Sequence, residues 1–138
     1  MVRNAKFPGT ICVTSAFATG SAIRRAGALA DGVLIAMTNF DPDSQQEPTR
    51  SFVQRFKAAN NGAAPDFFSA YGFDAATVAI NALQGGPPKD TADLLQHVMN
   101  QGDKQGVTGK FAFDASGDTT NRPTMHCIKG GKFGTCVL

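Results

Sequence analysis

The segment from Gly32 to Asp43 constrains the fold most strongly, because an apolar run ends there in an acidic turn. It reads GVLIAMTNFDPD. The five consecutive apolar residues 33–37 are typical of a strand that is covered on both faces. Pro42 has no backbone N–H and cannot continue a ladder, so the strand must stop before it. A helix is predicted to follow, and this order indicates a chain that crosses between two lobes.

The composition is that of one globular domain. The chain has 138 residues, of which 42% are hydrophobic, and a domain of this size buries about 68% of its unfolded surface. Its 13 basic and 11 acidic residues give a net charge of +2 and form no concentrated patch, which argues against nucleic acid as a partner. No run approaches the ~20 apolar residues of a membrane span, and the N-terminus lacks an apolar stretch of signal-peptide length. We therefore expect a soluble chain without an export signal.

Hydrophobic periodicity predicts a mixed order of elements: strand, helix, strand, a long helical excursion, and then strands. The predicted strands are 10–14, 33–38, 110–114, 123–128 and 132–137. The predicted helices are 21–26, 47–59, 65–84 and one that begins after Asp90 or Thr91.

Two of these helices differ in how their apolar residues are spaced. The helix 47–59 has one apolar face and one polar face, so we expect it to lie half buried on the surface. The helix 65–84 has two apolar rows and only a narrow polar stripe, which predicts packing on most sides. The apolar face of the first helix is Phe52, Val53, Phe56 and Ala59. The two rows of the second are Tyr71, Ala75, Val78, Ala82 and Phe68, Ala76, Ala79, Leu83, and its stripe is Asp74, Thr77 and Asn81.

Three cysteines, Cys12, Cys127 and Cys136, permit at most one internal disulfide bond. Cys127 and Cys136 flank the glycine pair 130–131, where a two-residue hairpin would place Cys127 opposite Gly134 and Cys136 diagonal to it. A bridge there needs some adjustment of register. A Cys127–Cys136 disulfide and free buried thiols therefore both stay open.

The sequence contains no catalytic or metal-binding constellation. His97 lies on the polar side of a predicted helix and His126 in a strand, and no nucleophile motif accompanies either. Cys127 follows His126 directly, but adjacent strand residues point to opposite faces. The cysteines lack the close CxxC or HxxxH pair that zinc requires, and the acidic turn 41–43 favours a solvated hinge over a calcium loop. We therefore predict no enzyme activity, no cofactor and no metal.

Four segments resemble the C-terminal part of the periplasmic solute-binding proteins of ABC importers for branched-chain amino acids and related amides. They are GVLIAMTNFDPD, FFSAYGFDAATVAINAL, TADLLQHVM and GVTGKFAFDASGD, in order and with plausible spacing between Thr10 and Val137. The last segment, residues 106–118, is the most specific of them. The resemblance implies an α/β fold, the type I periplasmic-binding or Venus-flytrap fold, in which two lobes hold a ligand between them.

The resemblance also implies a division of the chain between the lobes. Residues 1–38 would belong to the second lobe, 39–43 to a hinge crossing, 44–110 to a helical part of the first lobe, and 111–138 to the return crossing and terminal strands. The first part of the first lobe would be missing. Because strand edges and apolar surface would then stay uncovered, we expect completion by a domain-swapped homodimer or by the rest of a longer parent.

Ligand contacts are implied at two places. The loop after the first strand lines the cleft in the family, which implies contacts from Ser15, Ala16 and Phe17. The family often has an acidic residue there for the ligand's ammonium group, whereas Ser15 could form only a neutral hydrogen bond. Aromatic residues at the start of the helix 65–84 lie near the ligand's side chain in the family, which implies Phe68 and Tyr71, with core packing as the alternative.

Solute binding without chemistry is the function that the resemblance implies. The parent would be the periplasmic solute-binding component of an importer, would work with an ABC permease, and would close around an amino acid or amide. The isolated chain is expected to bind weakly or not at all. Asp74 matches a family pattern three residues after Tyr71, and we expect it to hold a neighbouring backbone or basic group. A ligand-sensing regulatory domain of the same fold and a non-binding structural fragment stay open as alternatives.

Overall fold

The computed structural model describes residues 6–135, which divide into two compact units. Unit 1 takes its described residues from 6–38 and 123–135, and unit 2 is formed by Asn39–Arg122. The division after Thr38 falls where the predicted crossing begins. The assignment of these parts to two lobes stays a prediction.

The elements of both units follow one another in a mixed α/β order. In unit 1 they are β1 (Cys12–Thr14), a 3-10 helix (Ser15–Phe17), α1 (Gly20–Ala26), a second 3-10 helix (Gly27–Ala30) and β2 (Leu34–Met37). Unit 2 contributes α2 (Thr49–Ala59), α3 (Phe67–Gln84), α4 (Thr91–Met99), β3 (Lys104–Gly106) and β4 (Gly109–Phe111). The chain then returns to unit 1 with β5 (Thr124–Lys129) and β6 (Lys132–Thr135).

Unit 1 is built on a four-stranded sheet with the order β1-β2-β5-β6. β1 and β2 are parallel, whereas β5 pairs antiparallel with both β2 and β6. Gly130 and Gly131 form a two-residue connection, and their φ angles of +56° and +75° suit the hairpin turn that requires positive φ at both positions. Cys127 stands opposite Gly134, as the hairpin prediction required. Cys136 lies outside the described residues, so its bridge to Cys127 stays a prediction, and Cys12 is a free, exposed cysteine.

The prediction that the strand after Gly32 is covered on both faces is wrong in this chain. Val33, Ile35 and Met37 are buried, but Leu34 is only half buried and Ala36 is exposed. The residues that the structure describes in unit 1 include one α-helix of seven residues and two short 3-10 helices. These short helices are too small to cover both faces of a four-stranded sheet, so the strand shows the alternation of a one-sided sheet.

Aromatic side chains form the core of unit 2. Phe52 packs against Phe73 with 4.7 Å between ring centroids, and Val53, Ala70 and Val107 are buried beside them. The apolar face of α2 is therefore confirmed at its first turns. It does not extend to the end of the helix, where Ala59 is exposed.

The helix α3 is less buried than predicted. One predicted apolar row faces outward, and of the other predicted row only Val78 and Ala82 are buried, because the described part of unit 2 packs against a single side of the helix. Asp74, expected in the polar stripe, lies in the buried face. The buried residues are Phe67, Ala70, Asp74, Val78 and Ala82, and the exposed row is Phe68, Ala76, Ala79 and Leu83.

A hairpin that the periodicity did not predict follows α4. β3 and β4 pair antiparallel with Gly106 opposite Gly109, and Val107 and Thr108 form the connection. The predicted strand 110–114 is correspondingly shorter, since β4 ends at Phe111. β3 has the sequence KQG, which carries no apolar alternation and therefore gave no strand signal.

Candidate functional site

The Ser15–Phe17 turn lies at the carboxyl ends of the parallel strands β1 and β2. In the paired register Thr14 stands beside Ala36, so both strands end at the same edge of the sheet. Open α/β sheets bind ligands at this kind of edge. Within the turn Ala18 N–H donates to the carbonyl oxygen of Ser15 at 2.8 Å, which closes the 3-10 helix.

The Ser15–Phe17 turn and the segment that leads into α1 offer hydroxyl groups but no charged side chain of their own, and the guanidinium of Arg24 lies beside Gly20. Residues 11–22 contain no acidic or basic side chain. Ser15 and Phe17 are half buried and Ala16 is exposed. Thr19 caps α1, with its Oγ1 accepting from Ala22 N–H at 3.2 Å. A ligand at this turn could therefore receive neutral hydrogen bonds, which contribute about half as much as bonds to charged groups.

Three aromatic rings cluster at the start of α3. Asp66 caps the helix by accepting hydrogen bonds from Ser69 N–H at 2.8 Å and from Ser69 Oγ at 2.7 Å. Phe67 is buried, and its ring centroid lies 4.6 Å from that of Tyr71 and 5.6 Å from that of Phe68. Phe68 is 47% exposed and Tyr71 is 37% exposed. The core-packing alternative therefore does not describe these two side chains in the present chain, where they form apolar surface beside a buried ring.

Asp74, one turn further along α3, has a buried carboxylate. Oδ1 accepts from Val107 N–H at 2.9 Å, and Oδ2 accepts from Thr108 N–H at 3.0 Å and from the Thr108 hydroxyl at 2.6 Å. These donors all belong to the β3–β4 connection. The prediction that Asp74 holds a neighbouring backbone group rather than a ligand is thus confirmed.

The backbone of Gly106 closes over the same carboxylate. A Cβ atom at this position would lie 2.5 Å from Oδ2 and 2.8 Å from Oδ1 of Asp74, which is closer than side-chain atoms approach one another. Only glycine leaves room there. We call the arrangement of Asp74, Gly106, Val107 and Thr108 the Asp74 clasp.

The structure joins two motifs that the sequence offered separately. The segment around Tyr71 and Asp74 and the segment that begins at Gly106 are more than 30 residues apart, yet the Asp74 clasp links them. A lone acidic residue within an apolar helix was the signal that could have indicated this link. The other predicted contacts, residues 15–17, belong to unit 1.

Neither His97 nor His126 has a nucleophile and an orienting carboxylate arranged around it among the described residues. Burial lowers the pKa of His126 below its ordinary value, and its Nε2 lies 2.9 Å from Thr124 Oγ1. His97 Nδ1 lies 3.0 Å from the carbonyl oxygen of Ala82, a contact that joins α4 to α3. Among residues 6–135, no cluster of three or more His, Cys, Asp or Glu is arranged to hold a metal ion.

A small open pocket lies beside the N-terminal half of α2. Its volume is about 160 Å³, and none of the predicted contact residues lines it. The ion pair between Arg50 and Glu47 at its edge is about half exposed on both sides, so the charges there are well solvated. Within the part of the chain that the structure describes, no helix is both long and apolar enough for a membrane crossing.

The chain belongs to the periplasmic binding protein family, whose sequence profile matches residues 2–130. This is a family of binding proteins rather than of enzymes. The family resemblance and the prediction of no enzyme activity are therefore confirmed. No protein of curated function matches the sequence significantly.

Solved structures similar to this chain include several ABC transporter proteins. A substrate-binding protein from Desulfitobacterium hafniense is 25% identical, with a TM-score of 0.77 over 96% of this chain and 37% of its own. The leucine-binding protein LivK from Thermotoga maritima is 22% identical, with a TM-score of 0.81 over 98% and 38%. LivJ from Streptococcus pneumoniae, a branched-chain amino acid substrate-binding protein in complex with isoleucine, is 22% identical, with a TM-score of 0.78 over 95% and 37%.

These likenesses confirm the type I periplasmic-binding fold. They also show that the chain spans less than two fifths of the length of each of these three solved relatives. The part of that fold that the chain represents is predicted, from its sequence motifs, to be the C-terminal one.

Proposed function

We propose that this chain is part of the solute-binding component of an ABC importer for branched-chain amino acids or related small molecules. The family match over residues 2–130 is the observation that carries the proposal. The similar folds of a leucine-binding protein and of a protein solved with isoleucine support the solute class. The work of such a chain is binding alone, in the periplasm, with an ABC permease as the partner of the whole protein.

The Ser15–Phe17 turn is proposed as the solute contact of unit 1. Its place at the carboxyl edge of two parallel strands supports this role. Because residues 11–22 carry no charge, the turn would bind a solute through neutral hydrogen bonds and through Phe17. A solute's ammonium group would therefore gain little from this turn.

Phe68 and Tyr71 are proposed as the solute contacts of unit 2. Both aromatic side chains are substantially exposed, and both pack against the buried ring of Phe67. Rings held in this way give apolar contact area at a low cost in conformational entropy. They suit the branched aliphatic side chain of leucine, isoleucine or valine.

The isolated chain is proposed to bind its solute weakly. It spans 37–38% of the length of the relatives with known solutes, so it supplies only part of the surface that surrounds a solute in a protein of full length. A homodimer of this chain remains a prediction, as does completion by a longer parent. Each would cover Ala76, Ala79 and Leu83, the part of the exposed row of α3 beyond Phe68.

Isothermal titration calorimetry on the 138-residue chain tests the proposal. L-Leucine, L-isoleucine and L-valine are expected to bind with dissociation constants of about 1 mM or weaker, equivalent to about 4 kcal/mol. The control compound is 4-methylpentanoate, which is leucine without its amino group. It should bind about as well as leucine, because the Ser15 turn offers no carboxylate to an ammonium group.

Three results would contradict the proposal. Micromolar binding of leucine would mean that this chain alone forms a complete site. Saturable binding that Phe68→Ser leaves unchanged would remove the aromatic pair from the site. The absence of heat with every branched solute would favour the alternative of a non-binding structural fragment.

A further inference from the structure

Both hydrophobic burial and the Asp74 clasp bear on which face of α3 turns inward. The buried face carries Phe67, and Phe73 at its edge packs against Phe52, whereas the outward row carries Phe68 and Leu83. Because burial of the outward row would also remove apolar area from water, the two orientations differ in hydrophobic free energy by less than the burial of a whole face. The buried row is Phe67, Ala70, Val78 and Ala82, and the exposed row is Phe68, Ala76, Ala79 and Leu83.

Asp74 makes the two orientations of α3 differ in free energy. It is the one charged residue between Phe67 and Gln84. A buried carboxylate is costly unless hydrogen bonds compensate for the lost water. In the observed orientation it accepts three, from Val107 N–H and from the N–H and hydroxyl of Thr108. A rotation of the helix by one residue, about 100°, would break all three.

We infer that Asp74 is the positioning residue for Phe68 and Tyr71, because its clasp to the β3–β4 connection fixes the rotation of α3 about its own axis. At 100° per residue, Tyr71 lies about 60° and Phe68 about 120° from Asp74 around that axis. With Asp74 held inward, Phe67 is buried and Phe68 turns to the surface, while Tyr71 lies at the edge of the buried face and keeps 37% of its surface exposed. The inference rests on the proposed role of this aromatic pair in solute binding.

Gly106 restricts the clasp to one arrangement. The hairpin backbone approaches Asp74 so closely that a Cβ at position 106 would lie 2.5 Å from Oδ2. The donors of Val107 and Thr108 follow directly, at 2.9 Å and 3.0 Å. A buried polar group that is satisfied in only one arrangement can specify that arrangement, as a single buried asparagine fixes the register of a coiled coil.

Tyr71 itself reports on the rotation of α3. The chain has one tyrosine and no tryptophan, so its tyrosine fluorescence comes from this position alone. The experiment measures quenching of that fluorescence by acrylamide in the wild-type chain, in Asp74→Ala and in Val53→Ala. Val53 belongs to the same core as Ala70 and Val107, but its side chain takes no part in the three hydrogen bonds to Asp74.

In Asp74→Ala the quenching constant is expected to rise roughly twofold while the far-ultraviolet helix signal is retained. Tyr71 is 37% exposed in the clasped helix, and release of the clasp allows it to become more exposed. Val53→Ala destabilises the core but keeps the clasp, so its quenching constant should equal that of the wild type. A folded Asp74→Ala with wild-type quenching would overturn the inference, as would an equal rise in Val53→Ala.

Thr108 keeps the inference testable if Asp74→Ala does not fold. Thr108→Val removes one of the three hydrogen bonds and keeps the shape of the side chain, so quenching should rise by a smaller factor. Thr108→Ser restores the hydroxyl and should restore wild-type quenching. Equal quenching in all three chains would overturn the inference.

The quenching experiment needs no solute, so it separates this inference from the proposed function. If L-leucine changes the Tyr71 fluorescence of the wild-type chain, Thr108→Val should raise the leucine concentration at half saturation several-fold, and Thr108→Ser should not. If leucine, isoleucine and valine leave the fluorescence unchanged, the proposed function fails for this chain. The quenching comparison then still decides whether Asp74 orients α3.

Discussion

Replacing Gly106 by alanine tests the packing of the Asp74 clasp most severely. The new Cβ would lie 2.5 Å from Oδ2, 2.7 Å from Cγ and 2.8 Å from Oδ1 of Asp74, whereas ordinary contacts begin at 3.4 Å. The carboxylate would have to retreat by about 1 Å. Hydrogen bonds that now measure 2.9–3.0 Å would lengthen beyond the range in which they stabilise.

The expected loss is large compared with the stability of a domain. A hydrogen bond to a charged group contributes about 1.5–3 kcal/mol, and a buried donor left unpaired costs about 1–3 kcal/mol. Weakening two of the three bonds to Asp74 should therefore cost about 3–5 kcal/mol. Alanine also lowers the conformational entropy of the unfolded chain relative to glycine, and this effect stabilises the folded state by about 0.4–1 kcal/mol. We expect Gly106→Ala to lower the free energy of unfolding by about 2–4 kcal/mol, out of the 5–15 kcal/mol typical of native domains.

Urea unfolding followed by the fluorescence of Tyr71 measures this loss in unit 2, where the single tyrosine lies. The matched control is Gly72→Ala on the exposed surface of α3, where an added Cβ has no atom within 4 Å. Alanine there should stabilise the helix by about 0.5–1 kcal/mol. The two glycine substitutions should thus shift the urea midpoint in opposite directions. A Gly106→Ala chain within about 0.5 kcal/mol of the wild type would refute the steric argument, since surface substitutions cause changes of that size.

Three further changes have outcomes that the structure defines. Because burial lowers the pKa of His126, the unfolded chain takes up a proton before the folded chain does. The urea midpoint, followed by far-ultraviolet circular dichroism so that unit 1 is included, should fall as the pH drops below about 6.5, and His126→Gln should flatten this dependence. Phe52→Ala should cost about 3–5 kcal/mol in urea unfolding, because Phe52 packs against Phe73 in the core, and a loss below 1 kcal/mol would contradict that packing. Asp66→Ala should cost about 1 kcal/mol by removing the cap of α3, while Asp66→Asn should cost less than half of that.

Local signals in the sequence were sufficient for several elements of the fold. The glycine pair 130–131 determined the hairpin and its register, because a two-residue turn with positive φ leaves one way to pair the flanking strands. Asp90 predicted the start of α4, and its carboxylate accepts from Asp93 N–H at 2.9 Å. Both features depend on residues only a few positions apart.

The orientation of α3 depends on a distant contact and was not predictable in the same way. Its two apolar rows look alike in the sequence, so periodicity indicated a helix packed on most sides. The contact that selects one row joins Asp74 to Val107 and Thr108, 33 and 34 residues away. The hairpin that provides these donors begins with β3, which has no apolar alternation. The exposure of Phe68 and Tyr71 therefore became visible only in three dimensions.

The functional class, by contrast, followed from motifs and not from periodicity. GVTGKFAFDASGD indicated the family, and the family match confirmed it. The first three residues of this segment have a structural role, because they form the hairpin side of the Asp74 clasp. The solute contacts at Ser15–Phe17 and at the aromatic pair stay proposals.

Titration of the chain with L-leucine, followed by the fluorescence of Tyr71, tests most directly whether this chain carries part of a solute site. We predict a saturable change with half saturation at about 1 mM or above, which Phe68→Ser abolishes and 4-methylpentanoate reproduces. Half saturation in the micromolar range, or no response of Tyr71 to any branched solute, would contradict the account.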